Sequence, residues 1–136
     1  MNMKMLKSLT AILSVTFTLA LTASAQTLPP DATKTGVTYD GDIKAILDKG
    51  CVKCHSEDKP KAKLHLDTLA GILKGDRDGA VLTAGNSASS SIVQAAAHTT
   101  DDPDEWMPPT KDADKFPALT ADQIGLLRAW IDQGAK

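Results

Sequence analysis

Apolar residues recur along this chain with helical spacing in four separate stretches, and no stretch alternates convincingly with the strand period of two. Between Asp40 and Gly50, Ile43, Ile46 and Leu47 fall at i, i+3 and i+4, one face of a helix that Asp40 is placed to cap. Leu66, Leu69, Ile72 and Leu73 in "LDTLAGILKG" repeat that spacing, and Gly75 closes it. "SSSIVQAAAH" predicts a shorter third helix whose serines can cap its start. The fourth is the clearest. Thr120 and Gln123 form a T-x-x-Q capping box, Ile124, Leu127, Trp130 and Ile131 make the apolar stripe, and Gly134 supplies the stop. The pattern predicts a small, loop-rich, all-α domain without internal repeats.

The connections differ in character. Residues 26–38, "QTLPPDATKTGVT", have no periodicity and read as a flexible leader. "EDKPKAK" is a charged loop broken by Pro60, and residues 75–88, rich in Gly, Asp and Ser, predict irregular turns. Residues 99–118 hold four of the chain's seven prolines, which excludes long regular structure there.

The first 25 residues have a different pattern. Lys4 and Lys7 precede the uncharged stretch "LTAILSVTFTLALT", and Ala23-Ser24-Ala25 is the small-x-small motif of a signal peptidase site. The stretch is short for a spanning helix, which needs roughly 20 apolar residues, so the expectation is a cleaved signal over 1–25 and a periplasmic mature chain with no stable membrane insertion. No cysteine ends the apolar stretch, so a lipoprotein is not suggested. The rest divides into the leader at 26–38 and one domain at 39–136. Of 136 residues 111 remain, with 13 basic side chains against 17 acidic, a net charge of −4. No basic block argues for nucleic acid or an anionic membrane. A domain this small has a thin core and often depends on a staple, metal or cofactor.

Both cysteines lie in "GCVKCHS" at 50–56, two residues apart, with His55 directly after the second. A redox disulfide of thioredoxin type needs a βαβ setting, which the pattern lacks, and a plain disulfide this close would staple almost nothing. Structural zinc needs four ligands, and beyond Cys51, Cys54 and His55 only His65 and His98 remain as soft donors. Cys51-Val52-Lys53-Cys54-His55 fits the attachment motif of a c-type haem. On a helical turn both thiols reach the vinyl groups along one porphyrin edge, and the His55 imidazole lies under the ring as proximal iron ligand.

The distal ligand is sought elsewhere. Met1, Met3 and Met5 leave with the signal, so Met107, in "EWMPP", is the only methionine of the mature domain. A proline-stiffened loop suits pressing a thioether onto iron better than filling a core. His98 is the alternative, giving two imidazoles, and a water-bound open site is a third. His65, between Leu64 and Leu66, is expected to be exposed or to bond a haem propionate. Neutral sulfur favours ferrous iron relative to a second imidazole.

An apolar helix, CxxCH, a Met-Pro loop and a C-terminal helix with Trp130 make this chain similar to small monohaem cytochromes c. It resembles most closely the planctomycete-type cytochrome c domain, through "CVKCHS", "AKLHLDTLAGILKGDRDGAVLTAGNSASSSIV", "HTTDDPDEWMPP" and "LTADQIGLLRAWIDQGA", over roughly residues 40–135. The resemblance implies about four short helices and long loops wrapped around one covalently attached haem c. It makes Cys51 and Cys54 the thioether residues, His55 the proximal ligand and Met107 the distal one. Leu64 and Leu66 would pack on the ring, with Gly79 and Gly85 shaping the loop between. Trp106 would be a hydrophobic lid or a propionate donor, and Trp130 core packing.

The function expected is a periplasmic carrier of single electrons between redox protein partners, monomeric and not an enzyme, although weak peroxidase-like activity is compatible with it. The acidic cluster Asp101, Asp102, Asp104 and Glu105 beside Met107 is either a solvated loop or a docking face for a basic partner. The alternative is a haem enzyme or a gas or peroxide sensor with a labile or open sixth site.

Overall fold

In the computed structural model residues 27–136 are described; the expected signal at 1–25, and Gln26, lie outside them. Among the described residues are four α-helices and no strand: α1 (Lys44–Gly50), α2 (Leu69–Lys74), α3 (Ser91–Ala96) and α4 (Ala121–Asp132). Single 3₁₀ turns punctuate the loops, and one isolated bridge pairs His55 with Pro60. The domain is all-α, as its pattern predicts.

The helix ends show where side chains override spacing. α1 is entered through a π-helical turn, Tyr39–Ile43, and the cap is Thr38, whose Oγ1 accepts from Gly41 N at 3.1 Å; Asp40, the expected cap, lies inside the turn. α2 starts three residues later than the Leu66 spacing predicts. Thr68 Oγ1 caps it by accepting from Gly71 N at 3.0 Å, while Leu66 lies before the helix and donates its N–H to His55 O at 2.8 Å. Gly75 ends α2 with φ +83°, and a Cβ there would stand 2.1 Å from Gly79 O. The serines before α3 serve the loop instead of the helix. Ser90 Oγ donates to Asn86 O and accepts from Thr83 N, and makes no cap bond to α3. α4 has its full capping box, with Gln123 N on Thr120 Oγ1 at 3.2 Å and Thr120 N on Gln123 Oε1 at 2.9 Å.

The core forms where the inner face of α4 meets the entry of α1. Ile124, Leu127, Trp130 and Ile131 are all buried, in one cluster with Val37, Tyr39, Ile43, Leu47, Ile72, Val81 and Val93. Trp130 is fully buried, its ring centroid 6.2 Å from that of Tyr39. Trp130 Nε1 and Tyr39 N both donate to Lys136 O, at 2.9 and 3.0 Å, which pins the returning C-terminal segment to the start of α1. The Tyr39 hydroxyl donates to Leu66 O at 2.9 Å. Burial first, then the carboxylates of Asp48, Asp67 and Asp40, push its pKa up to about 12, so it remains a donor.

The unpatterned stretch 27–38, expected as a flexible leader, lies along α4. Ala32 N donates to Gly125 O at 2.9 Å, Val37 N to Gln133 Oε1 at 3.1 Å, and Gln133 Nε2 to Lys34 O at 2.8 Å. Arg128 joins three segments. It donates to Pro29 O, pairs with Asp31 at 2.8 Å, and donates Nε–H to Ser87 Oγ at 3.1 Å. Ser87 in turn donates both its N–H and its hydroxyl to Asp132, each at 2.7 Å. These contacts are polar and backbone-mediated, so hydrophobic periodicity carries no trace of them.

Gly125 marks the closest approach, since a Cβ there would lie 2.6 Å from Pro30 O. Gly125→Ala is expected to lose about 1–3 kcal/mol of stability by overpacking and to quicken proteolysis within 27–36; thermal melts and limited digestion check this, and unchanged values would show that the segment is not docked. Acid dependence follows from Asp132. Its burial would raise the pKa, but the Ser87 bonds, the Asp31 hydrogen bond and Arg128 outweigh it and hold the carboxyl below its usual range. A depressed carboxylate contributes stability above its unfolded pKa of about 3.9, lost as pH falls through the native value. Asp132→Asn should therefore flatten the decline of Tm below about pH 4, leaving the part due to Asp42, which Lys34 also holds low.

Candidate functional site

α1 does not stop at Gly50 but winds on into "CVKCH". Cys51 N and Val52 N both donate to Leu47 O, at 2.9 and 3.1 Å, and Cys54 N and His55 N both donate to Cys51 O, at 3.1 and 3.0 Å. Residues at i, i+3 and i+4 of such a turn share a side, and Cys51, Cys54 and His55 accordingly line one cavity. The charged loop then folds back: Lys59 N donates to Ser56 O at 3.1 Å and Lys61 N to Cys54 O at 3.0 Å.

That return sets the chemistry of His55. Its Nδ1 lies 3.1 Å from Lys61 O. A carbonyl only accepts, so Nδ1 bears the proton and Nε2 keeps its lone pair. Burial lowers the His55 pKa, against the raising effect of the Lys61 bond, and favours the neutral ring. Burial, with Cys54 nearby, pushes the Cys51 thiol up to about 11. The two cysteines are not joined in a disulfide.

The cavity has a volume of about 610 Å³, within the roughly 300–1,000 Å³ of cofactor sites. Met107 reaches it from the proline-rich loop, so that all four residues singled out in the sequence open onto one space. Leu64 and Leu66 line it as expected, with Leu47, Val81, Ile92 and Leu127. Gly79 lines it as well, in a turn closed by Asp76, whose Oδ1 accepts from Asp78 N and Gly79 N at 2.8 and 3.0 Å. Gly85 has a positive φ but lies off the wall.

The other candidates are placed elsewhere. His98 does not line the cavity; its Nε2 is 3.3 Å from Met107 O and its ring stacks on Trp106, centroids 5.1 Å apart and planes 6° from parallel. The Trp106 N–H, expected as a possible propionate donor, is engaged by Thr100 O at 3.2 Å, because the stack on His98 turns its edge toward that backbone. His65 is half-buried and off the wall, its Cβ against Gly71. Asp102 is exposed and accepts from Asp104 N at 2.9 Å, while Asp104 and Glu105 line the cavity.

Sequence reasoning missed Lys61, whose carbonyl orients His55, and Arg77, Phe116 and the end of α3 at Ala95, which line the cavity. A backbone carbonyl leaves no signal in a sequence. Pro60, which forces the chain to turn just before Lys61, was the available hint.

Two thiols, an imidazole nitrogen with a free lone pair and a thioether around an apolar-walled cavity form a donor set that fits a haem. No three His, Cys, Asp or Glu side chains come together as a metal-ion site among the described residues, which leaves structural zinc without its ligands. No curated protein and no solved structure matches the chain. Residues 51–111, beginning at the first cysteine and extending past Met107, match the family model described as planctomycete cytochrome C, which supports a cytochrome c-type domain over that stretch.

Proposed function

We propose that this domain is a monohaem c-type cytochrome that passes single electrons between redox proteins in the periplasm. A cytochrome c-type domain implies haem and suggests an electron carrier, and such domains are typically exported. Among the described residues no helix is long and apolar enough to cross a membrane. The observation that carries the finer reading is the convergence of Cys51, Cys54, His55 and Met107 on one cavity, with His55 Nδ1 tied to Lys61 O so that Nε2 is the free donor.

Each residue has a distinct task. Cys51 and Cys54 would hold the haem as thioethers, each thiol adding S–H across a vinyl C=C so that sulfur takes one carbon and the proton the other, with no external oxidant. His55 Nε2 and the Met107 sulfur would be the two protein donors to the iron. Leu64, Leu66, Val81 and Leu127 would keep water from the ring, which with a thioether ligand would raise the reduction potential. The haem would supply one-electron chemistry, and with His55 and Met107 both engaged no position would be offered to oxygen or peroxide.

Protein made in a periplasm with haem-attachment machinery is expected to be red. Its ferric form should be low-spin with the weak far-red sulfur-to-iron band, and its ferrous form should not respond to carbon monoxide. Met107→Ala should abolish that band and bind carbon monoxide promptly. Prompt binding by the wild type would instead establish an open site and favour a haem enzyme or sensor. Replacing both thiols, Cys51→Ala with Cys54→Ala, is expected to lower Tm by tens of degrees or to remove the cooperative transition, because the core is then no longer tethered around the haem. A colourless wild type with two free thiols would overturn the reading.

A further inference from the structure

We propose that His98 is a positioning residue: it clamps the backbone of Met107 from the end of α3 and so holds the sulfur at the iron. This rests on the reading of Met107 as distal ligand.

The Met107 peptide is held on both sides by the same short segment. Met107 N donates to Ala95 O at 3.0 Å, and Met107 O accepts from His98 Nε2 at 3.3 Å. The rest of the loop offers little restraint of this kind, being built of isolated 3₁₀ turns and exposed carboxylates. The imidazole is itself fixed in plane. It lies nearly parallel to Trp106, the residue before Met107, and Trp106 Nε1 is tied to Thr100 O at 3.2 Å. Ring, stack and two carbonyls thus form one closed unit around the ligand-bearing peptide.

The backbone at His98 points the same way. His98 follows the last residues of α3 with φ +55°, the left-handed position that glycine or asparagine ordinarily takes after a helix. A histidine there accepts a conformation that non-glycine side chains seldom adopt. The conformation returns the ring over the loop that follows, where glycine would have ended the helix without reaching anything. The contact accounts for this histidine without using it as a ligand, and it lies off the cavity wall.

A thioether is a weak iron ligand, so how long it remains bound depends on how little the loop must be ordered to bring it back. Losing one neutral hydrogen bond at its backbone should raise the fraction with sulfur off the iron about 5- to 10-fold. Carbon monoxide binding to ferrous protein reads that fraction, and the ferric far-red band reads the bond itself. The variants are His98→Phe, which keeps a stacking ring but not the donor, and His98→Gln, which keeps a donor. Met107→Ala is the fully open reference.

The expected result is carbon monoxide binding about 5- to 10-fold faster in His98→Phe, with a weakened far-red band. His98→Gln should stay close to wild type, and helix content by circular dichroism should be unchanged in both. Destabilisation of the domain in general would move both variants alike, which would overturn the clamp. A wild type that shows the band while both His98 variants keep its intensity and the wild-type rate overturns the clamp alone. A wild type without the band, unaffected by Met107→Ala, overturns the Met107 reading and the clamp with it.

Discussion

The apolar core of this domain is assembled around a cavity. Leu47, Leu66, Val81 and Leu127 belong both to the buried cluster and to the wall of the 610 Å³ space into which the cysteines, His55 and Met107 open. Core and site are therefore one set of residues, and what fills the cavity governs whether the packing around it is worthwhile. A flat apolar group held at Cys51 and Cys54, as proposed, would meet that constraint.

The frame that holds the cavity in shape is small. Trp130 and Tyr39 meet with their rings tilted at 46°, and both residues reach Lys136 O, so the last helix, the C-terminal return and the start of α1 are locked together. Because α1 runs without a break into the CVKCH turn, that lock also orients the two thiols and the imidazole. Arg128 and Asp132 do for the segment 29–31 and the Ser87 loop what apolar packing does for the helices. In a domain with few helical contacts, fixed polar links between loops carry much of the definition of the structure.

The two proposed iron donors are positioned by different means with the same logic. His55 is oriented by a carbonyl of the loop that follows it, and Met107 has its own backbone held by the helix that precedes it. In neither case is the orienting group recognisable by residue type alone. Lys61 serves through its backbone oxygen, and Ala95 likewise. His98 carries a soft donor and so looked like a rival ligand to Met107. In the fold its ring stacks on Trp106 and its Nε2 lies 3.3 Å from Met107 O.

Much was legible in the order of residues. Helix existence, the capping box of α4, the stripe of Ile124, Leu127, Trp130 and Ile131, and the stop at Gly75 follow from local periodicity and capping chemistry, which act within a few residues and need no partner. The attachment motif was legible for the same reason, since its chemistry depends on three residues within one turn. Met107 stood out by elimination. The cap of α1 at Thr38, the late start of α2 and the docking of 27–38 along Gly125 and Arg128 were decided by tertiary structure. They depend on hydrogen bonds between residues up to 99 apart in the chain, for which a linear pattern has no period. The same holds for the site: the sequence by itself determined which atoms could bind, and only the fold decided which of them share a cavity, because a side chain's direction is set by what packs against it.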